Sequence, residues 1–302
     1  HIVSVEDAKR AAEKLAYPVV MKATAGGGGR GMFKASNPAE LEASFERASR
    51  EAESAFGDSR LYMERFVERA RHVEVQIVGD GEGNVVHFGE RDCTVQRRYQ
   101  KLIEEAPATA VPDDVRKRLH ESAVRLTSTA KYRNAGTVEF LYDVDRNDFY
   151  FIEVNSRIQV EHPVTECTTG LDLVALQLSV AAGEPLPATE PPPTSGHAIE
   201  VRIYAEDPAA NYQPQSGRMH RFEVPGADVE FSVGSQPGGV RVDSGVVSGL
   251  DVSVHYDPML AKVISYAPTR GRAAQVLAGA LAGAELHGVR TNRDLLVNVL
   301  RH

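Results

Sequence analysis

Two glutamates and an asparagine near the middle of the chain have the spacing of a divalent-cation site. They lie in "GTVEFLYDVDRNDFYFIEVN", where two extended runs flank a polar turn and predict a β-hairpin. Pairing Glu139 with Glu153 leaves a loop of about five residues, and in that register Tyr142 faces Tyr150. Opposed carboxylates repel each other unless a cation lies between them. With Asn155 on the same face, these oxygens suit Mg²⁺ or Mn²⁺ held jointly with phosphates; the alternative is a solvated face with opposed charges.

The run that follows, "NSRIQVEHPVTE", adds groups that could bind an oxyanion and remove its proton. If the run stays extended, one face carries Asn155, Arg157, Gln159 and Glu161. An arginine fork suits a planar oxyanion, and a neighbouring carboxylate can act as a base. A buried ion pair between Arg157 and Glu161 is the alternative. His162 precedes a proline, and we expect it to be structural rather than catalytic.

Near the start, "VVMKATAGGGGRGMFKA" places several glycines between two short extended runs. Gly26, Gly28 and Gly31 satisfy G-x-G-x-x-G, but no helical pattern follows, and a Walker A sequence is absent. The pattern therefore favours a strand, glycine loop and strand, in which free backbone N–H groups cover phosphates. Lys22 would place an ammonium group at the mouth of this loop. A ligand-free surface loop beside a solvated lysine is the alternative.

The elements that must position these groups alternate between helical and extended patterns. Asn37 and Pro38 are typical of a helix start and precede a predicted helix over 38–56. The runs "RHVEVQIVGD" and "NVVHFGERDC" predict a first hairpin around the turn "GDGEGN". Further segments are predicted as helices at 5–15, 113–131 and 171–182, a strand at 17–23, and a final helix pair. The proline-rich segment 183–196 predicts a linker, with a boundary near residue 190.

Composition limits the possible partners. A net charge of −8 and an isoelectric point near 5.7 argue against nucleic acid as a ligand. Cys93 and Cys167 have no paired spacing, so we expect neither disulfide nor zinc site, and a cytoplasmic location. We expect no membrane span, because no apolar run approaches about 18 residues. The start lacks a Met and a signal-peptide pattern, so we expect a cut edge.

Four long motifs in a fixed order resemble the biotin carboxylase component of biotin-dependent carboxylases, in the ATP-grasp superfamily. They are "MKATAGGGGRGM", "YMERFVERARHVEVQIVGDGEGNVVHFGERDCTVQRRYQKLIEEAPA", "VEFL…FYFIEVNSRIQVEHPVTE" and "GHAIEVRIYAEDP". The resemblance implies an α+β ATP-grasp fold, with a glycine-loop lid and a central antiparallel sheet. It places the ATP-grasp domain at 1–190, with the lid at about 1–66, and an incomplete C-terminal domain at 191–302.

The resemblance also implies roles for individual residues in ATP-dependent carboxylation of biotin. The Mg²⁺ or Mn²⁺ ligands would be Glu139, Glu153 and Asn155, and the base that deprotonates bicarbonate would be Glu161. Arg202 would stabilise the biotin enolate. Bicarbonate would contact Lys101, Arg157, Gln159 and Val160. The ATP phosphates would meet Lys22 and the loop residues Gly26, Gly27, Gly28 and Gly29; the adenine would meet Glu64 and the Phe66 backbone; the ribose side would meet His72 and Gln96.

The partners implied are a biotinylated carrier domain or protein, a carboxyltransferase and, in the intact protein, a second copy in a homodimer. Acetyl-CoA, propionyl-CoA, longer acyl-CoA, pyruvate and urea carboxylases share this component, so the resemblance identifies the class rather than one acceptor. Two departures matter: Tyr99 stands where many members carry His or Asn, and the family's N-terminal domain is missing. Another ATP-grasp ligase of the carbamoyl-phosphate type and an inactive ATP-binding fragment are the alternatives.

Overall fold

The computed structural model describes residues 2–25, 32–186, 189–233 and 239–302, and it divides the chain into two units, His1–Ala70 (unit 1) and Arg71–His302 (unit 2). Among the described residues, no helix combines the length and apolar character that crossing a membrane requires. Cys93 and Cys167 are both buried.

Unit 1 is a small antiparallel sheet covered by two helices. Its elements are α1 (Val5–Leu15), β1 (Val19–Ala23), β2 (Met32–Ala35), α2 (Pro38–Phe56) and β3 (Leu61–Arg65). The strand order is β2-β1-β3, so the strand that carries Lys22 is the central one. Asn37 caps α2 by accepting a hydrogen bond from Glu40 N (3.0 Å), which confirms the predicted helix start. The apolar faces of both helices and the sheet enclose one core.

Unit 2 is built on a nine-stranded sheet with the order β14-β15-β17-β9-β6-β5-β4-β7-β8. Its first half contains β4 (Ala70–Asp80), β5 (Val85–Arg97), β6 (Gln100–Ala106), α3 (Asp113–Thr129), β7 (Arg133–Asp143), β8 (Asp148–Asn155), α4 (His162–Thr169) and α5 (Leu173–Ala182). Both predicted hairpins are confirmed, as β4–β5 and β7–β8. Helix α3 packs its apolar face against the strands of these hairpins.

The second half of unit 2 adds strands to the other side of the same sheet. Its longer elements are β9 (His197–Tyr204), β15 (Val240–Ser244), β17 (Met259–Ala267), α6 (Arg270–Gly283) and α7 (Arg293–Arg301). The short ones are β10 (Glu206–Asp207), a 3₁₀ helix (Pro208–Ala210), β11 (Gln213–Pro214), β12 (Gly217–Arg218), β13 (Arg221–Glu223), β14 (Ala227–Glu230), β16 (Asp251–Val252) and β18 (Glu285–His287). Strand β9 pairs with β6, so the sheet continues across the proline-rich segment. The domain boundary near residue 190 stays a prediction.

The β7–β8 hairpin contains a β-bulge that the sequence did not indicate. Glu139 lies opposite Glu153 as predicted, but Phe140 lies opposite Phe151, so Ile152 is the extra residue. The predicted pairing of Tyr142 with Tyr150 is therefore wrong. The bulge turns Phe149 and Phe151 to the side of the sheet that carries Phe140, whose ring meets theirs edge to face.

Candidate active site

In unit 1, the predicted phosphate and adenine contacts lie at the central strand and its neighbour. Lys22 of β1 and Glu64 of β3 form an ion pair, which leaves both side chains partly exposed. Phe66 donates its backbone N–H to Pro18 O (2.9 Å), so any adenine contact of this backbone would use its carbonyl oxygen. Gly26, Gly27, Gly28 and Gly29 lie outside the described residues.

In unit 2, one lysine ammonium joins three carboxylates that come from different parts of the chain. Nζ of Lys101 on β6 donates to Glu74 (2.7 Å), Glu139 (3.1 Å) and Glu161 (2.6 Å). Glu74 lies on β4, Glu139 on β7, and Glu161 immediately precedes α4. All three carboxylates are buried. Burying three anions is costly, and a shared cation with short hydrogen bonds is what makes it tolerable.

Arg91 of β5 also contacts this cluster and is fully buried. Its Nε donates to Glu74 Oε1 at 2.6 Å. Its two terminal nitrogens donate to neutral side-chain oxygens at 2.7–3.2 Å, namely those of Gln76, Thr137, Gln159 and Thr165. The guanidinium therefore ties three strands to the start of α4 and fixes the side-chain amide of Gln159.

These contacts decide the protonation states of the cluster. Burial alone would raise the pKa of Glu74, but Arg91 and Lys101 outweigh it and lower this pKa to about 2. Burial likewise opposes ionisation of Glu139, whereas His72 and Lys101 lower its pKa to about 2. Burial disfavours the charged form of Lys101, yet its carboxylate neighbours raise its pKa above the ordinary value. Glu74, Glu139 and Lys101 are therefore ionised at neutral pH.

Of the three predicted metal ligands, Glu139 and Asn155 are joined directly. Asn155 Nδ2 donates to Glu139 Oε1 at 2.9 Å, and that oxygen also accepts from Lys101 and Gln159. Glu139 Oε2 is therefore the oxygen that can reach a cation. Glu153 lies opposite Glu139 in the ladder, but its side chain is exposed. The oxygens of Glu139 and Asn155 would suit a hard divalent ion, and Glu153 would have to turn toward the ion to join them.

His72 and Gln96, predicted at the ribose side, lie together beside this carboxylate. Nδ1 of His72 is 3.1 Å from Nε2 of Gln96. Nε2 of His72 is 2.8 Å from Glu139 Oε2, although the angle falls outside that of a hydrogen bond. Ligand atoms of His72, Glu74 and Glu139 all lie within 4.8 Å of one another, so His72 is a further candidate to hold a metal ion.

The segment after Asn155 differs from the prediction. It is not extended, because β8 ends at Asn155 and a turn precedes α4. Gln159 and Glu161 are buried in the cluster, but Arg157 is exposed and donates to Ile158 O (3.2 Å) and Asn155 Oδ1 (3.4 Å). The alternative interpretation, a buried ion pair between Arg157 and Glu161, is therefore wrong. Glu161 instead uses cations from two strands.

Arg202 of β9 is the second cation at Glu161. Its Nη2 donates to Glu161 Oε2 at 3.0 Å, and its Nε donates to Glu104 Oε1 at 2.6 Å. With Lys101 on Oε1, both oxygens of Glu161 accept charge-assisted hydrogen bonds. The carbonyl oxygen of Val160 accepts from Lys262 Nζ (2.7 Å), so a bicarbonate contact of Val160 would use its N–H.

Sequence reasoning missed Glu74, Arg91, Glu104 and Lys262. Glu74 alternates with valines in "HVEVQIV", which suggests a solvated face, yet every residue from Val73 to Gly79 is buried. A polar residue inside an otherwise apolar strand was therefore an available signal for a buried site. His162 begins α4, and burial lowers its pKa to about 4, consistent with the expected structural role. Tyr99 is exposed in the tight turn between β5 and β6.

Comparison with known proteins now identifies the family. Residues 1–189 match the family model described as carbamoyl-phosphate synthase L chain, ATP binding domain, and residues 200–302 match the biotin carboxylase C-terminal domain. A biotin carboxylase of Halalkalibacterium halodurans is 46% identical over 98% of this chain and 63% of its own length. The chain belongs to the biotin carboxylase family. The resemblance seen in the sequence is thereby confirmed.

Other relatives of this chain agree. The mouse mitochondrial methylcrotonoyl-CoA carboxylase subunit alpha is 47% identical over 96% of the chain and 39% of its own length. A crystal structure of the biotin carboxylase domain dimer of 2-oxoglutarate carboxylase from Hydrogenobacter thermophilus was solved with MgADP, ADP and bicarbonate. It has a TM-score of 0.88 and 41% identity, covering 99% of this chain and 64% of that one. The ATP-grasp fold is confirmed. The chain spans between two fifths and two thirds of these relatives.

Proposed function

We propose that this chain carries the ATP-dependent carboxylation of biotin, with bicarbonate as the carbon source and carboxyphosphate as the intermediate. The observation that carries the proposal is Glu161, buried and held between Lys101 (2.6 Å) and Arg202 (3.0 Å). A carboxylate in this position can accept a proton while two cations retain the resulting oxyanion. The relative from Hydrogenobacter thermophilus, solved with MgADP and bicarbonate, supports the choice of substrates.

Each residue of the cluster has a proposed part in the reaction. Glu161 removes the proton of bicarbonate, and the oxyanion is held by Lys101, Arg157, Gln159 and the Val160 N–H. Bicarbonate then attacks the γ-phosphorus of ATP and displaces ADP, which gives carboxyphosphate. Carboxyphosphate splits into CO₂ and phosphate beside the ureido nitrogen of biotin; the phosphate accepts the N–H proton, and the resulting enolate forms the N–C bond to CO₂. Arg202 stabilises the biotin enolate. Arg157 is exposed and already donates to Asn155 in the free chain, so its guanidinium is accessible to a bound anion.

Mg²⁺ or Mn²⁺ would be held by Glu139, Glu153 and Asn155, and the bound ion would offset the negative charge of the phosphates. Lys22 and the glycine loop would contact the phosphates of ATP, Glu64 and Phe66 its adenine, and His72 and Gln96 its ribose. The proposed partners are a biotinylated carrier, a carboxyltransferase and a second copy of the intact protein. The two buried cysteines, which have no paired spacing, support a cytoplasmic location.

The test measures ADP release from MgATP by this chain, with and without bicarbonate and free biotin. We expect release that needs both, and a loss of about 100-fold or more for Glu161→Gln. Glu121→Gln is the control, because Glu121 is an exposed residue of α3 and should leave the rate unchanged. Melting and ATP-binding measurements verify that each variant is folded.

Two outcomes would contradict the proposal. Release that needs bicarbonate and ammonia, but not biotin, would support a carbamoyl-phosphate type of ligase. Absence of biotin-dependent release after restoring the longer protein, while ATP still binds, would leave an ATP-binding module without carboxylase activity.

A further inference from the structure

Two carboxyl groups lie face to face behind the proposed active site. Glu104 of β6 is directly opposite Glu200 of β9, and both are fully buried. Opposed residues in a ladder have Cβ atoms roughly 4.5–5.5 Å apart, which brings the ends of two glutamates within reach of each other. Neither residue is part of the cluster around Lys101, so their burial needs a separate explanation.

The two carboxyl groups differ in their partners. Glu104 Oε1 accepts from Arg202 Nε at 2.6 Å. Glu104 Oε2 and both oxygens of Glu200 are buried without a hydrogen-bond partner within the described part of the chain. An ionised carboxylate without hydrogen bonds is too costly to bury, so Glu200 must carry a proton. Its O–H group then has an acceptor close by, the free Oε2 of Glu104.

The surrounding cations are committed elsewhere. Lys262 of β17 donates to Val160 O (2.7 Å) and lies 3.5 Å from Asp243, which also pairs with Arg241. Arg241 in turn donates to Glu166 of α4. Lys101 and Arg202 bind the carboxylates of Glu161, Glu74, Glu139 and Glu104. No cation in the described residues is left to neutralise Glu200.

We propose that Glu104 and Glu200 share one proton and that this pair positions Arg202, with Glu104 as the ionised member and Glu200 as the neutral one. Burial raises the pKa of Glu104, which favours one shared proton in the pair, but Arg202 opposes this rise and makes Glu104 the more readily ionised of the two. Burial also raises the pKa of Glu200 well above its ordinary value, against the pull of Lys262, and the adjacent Glu104 raises it further.

The pair of Glu104 and Glu200 explains the orientation of the Arg202 guanidinium. Glu104 holds the Nε side of the guanidinium, which leaves Nη2 to meet Glu161 at 3.0 Å. If Glu200 were also ionised, a second anion would compete for the same guanidinium. The neutral Glu200 therefore lets Glu104 act as a positioning residue. This role for Arg202 rests on the proposed function, whereas the shared proton does not.

The shared proton is tested by melting this chain and its Glu200→Gln variant between pH 5 and pH 9. A carboxyl whose pKa is raised by folding binds more protons in the folded state, so it lowers stability as the pH rises above 4.5. Glutamine mimics the neutral carboxyl and removes this penalty. We expect the variant to melt at least about 4 °C higher than the parent at pH 8, and within about 1 °C of it at pH 5.

Glu90→Gln is the matched control on the same sheet. Glu90 is buried but accepts from Arg116 and from Ala108 N, and His120 Nε2 lies 2.7 Å away. Its pKa is lowered: burial opposes ionisation, but these partners outweigh it. Glu90→Gln should therefore lower the melting temperature by a similar amount throughout pH 5–9, because the ordinary pKa of 4.5 and the lowered pKa both lie below this range. A similar loss at all pH values for Glu200→Gln would show that Glu200 is ionised and paired, and would overturn the proposal.

The positioning role is tested by Glu104→Gln in the ADP-release assay. A glutamine still accepts from Arg202 but lacks the charge that anchors it, so we expect kcat to fall about tenfold while KM for MgATP changes less than about twofold. An unchanged kcat, or an equal change in both constants, would overturn this role. If neither this chain nor the longer protein shows biotin-dependent ADP release, the proposed function fails, and the melting data still decide whether the proton is shared.

Discussion

Two lysine–glutamate pairs in this molecule have the same chemistry but very different surroundings. The side chains of Lys22 and Glu64 in unit 1 are 25% and 49% exposed, whereas those of Lys101 and Glu161 in unit 2 are 13% and 2% exposed. Exposed pairs contribute little to stability and exchange readily for a ligand, whereas buried pairs are strongly constrained. Under the proposed function, the unit 1 pair would open to bind nucleotide, whereas the unit 2 cluster would be set before substrate arrives.

The largest effect should follow from breaking the buried network at Arg91. Arg91→Ala leaves Glu74 with one cation fewer, and we expect a loss of about 3–5 kcal/mol of unfolding free energy, measured by urea denaturation. Arg118→Ala is the control, because Arg118 and Asp148 form an exposed pair, and it should cost about 1 kcal/mol or less. Equal losses of unfolding free energy in the two variants would show that the buried network stabilises the fold no more than an exposed ion pair does.

Lowering the pH should protonate the carboxylates of the same network and so break its ion pairs. Glu74 and Glu139 have pKa values of about 2 in the folded chain, below the ordinary 4.5, because Arg91, Lys101 and His72 outweigh burial. Between pH 2 and pH 4.5 the unfolded chain binds more protons than the folded chain. The stabilising effect of the two carboxylates is therefore complete above about pH 5 and is lost as the pH falls toward 2. We expect the free energy of unfolding to fall by a few kcal/mol, which is the order of magnitude that one such pKa shift corresponds to. Melting at pH 3–7 should show a shallower slope for Glu139→Gln; an identical slope would contradict the assignment.

The exposed pair should respond in the opposite way, through binding rather than stability. Lys22→Gln should change the unfolding free energy by about 1 kcal/mol or less, yet weaken ATP binding about tenfold by removing a charge for the phosphates. Isothermal titration measures the affinity. Lys9→Gln, which breaks another exposed pair in unit 1, is the control and should leave ATP affinity unchanged. If both variants bind ATP equally well, Lys22 is only a surface charge.

The smallest effect on stability is expected at Glu153. Because its side chain is exposed, Glu153→Gln should change the unfolding free energy by about 0.5 kcal/mol or less. The same variant should weaken Mn²⁺ binding in the presence of ADP about tenfold, as measured by electron paramagnetic resonance. Undiminished Mn²⁺ binding would remove Glu153 from the metal site and leave Glu139 with His72 as the alternative.

The sequence predicted those features whose causes are local. Asn37 and Pro38 marked the start of α2, and the carboxylates of Glu139 and Glu153 gave the correct register next to the site. Features decided by distant contacts were missed. The guanidinium of Arg91 gathers groups from across the sheet, and its importance depends on the burial of every one of them. Arg157 was predicted to point into the site because the turn before α4 was not anticipated.

The extra residue in β8 has a consequence for how the hairpin can vary. On the active-site side of Ile152, the odd-numbered Glu153 and Asn155 share a face with Glu139; on the turn side, the odd-numbered Phe149 and Phe151 share a face with Phe140. The strand therefore consists of two segments in opposite phase. The aromatic segment can follow the shape of the core beneath α3 while the carboxylate segment keeps its own orientation. Substitutions that change the core packing and substitutions that change the metal site can therefore occur independently of each other within the eight residues of this strand.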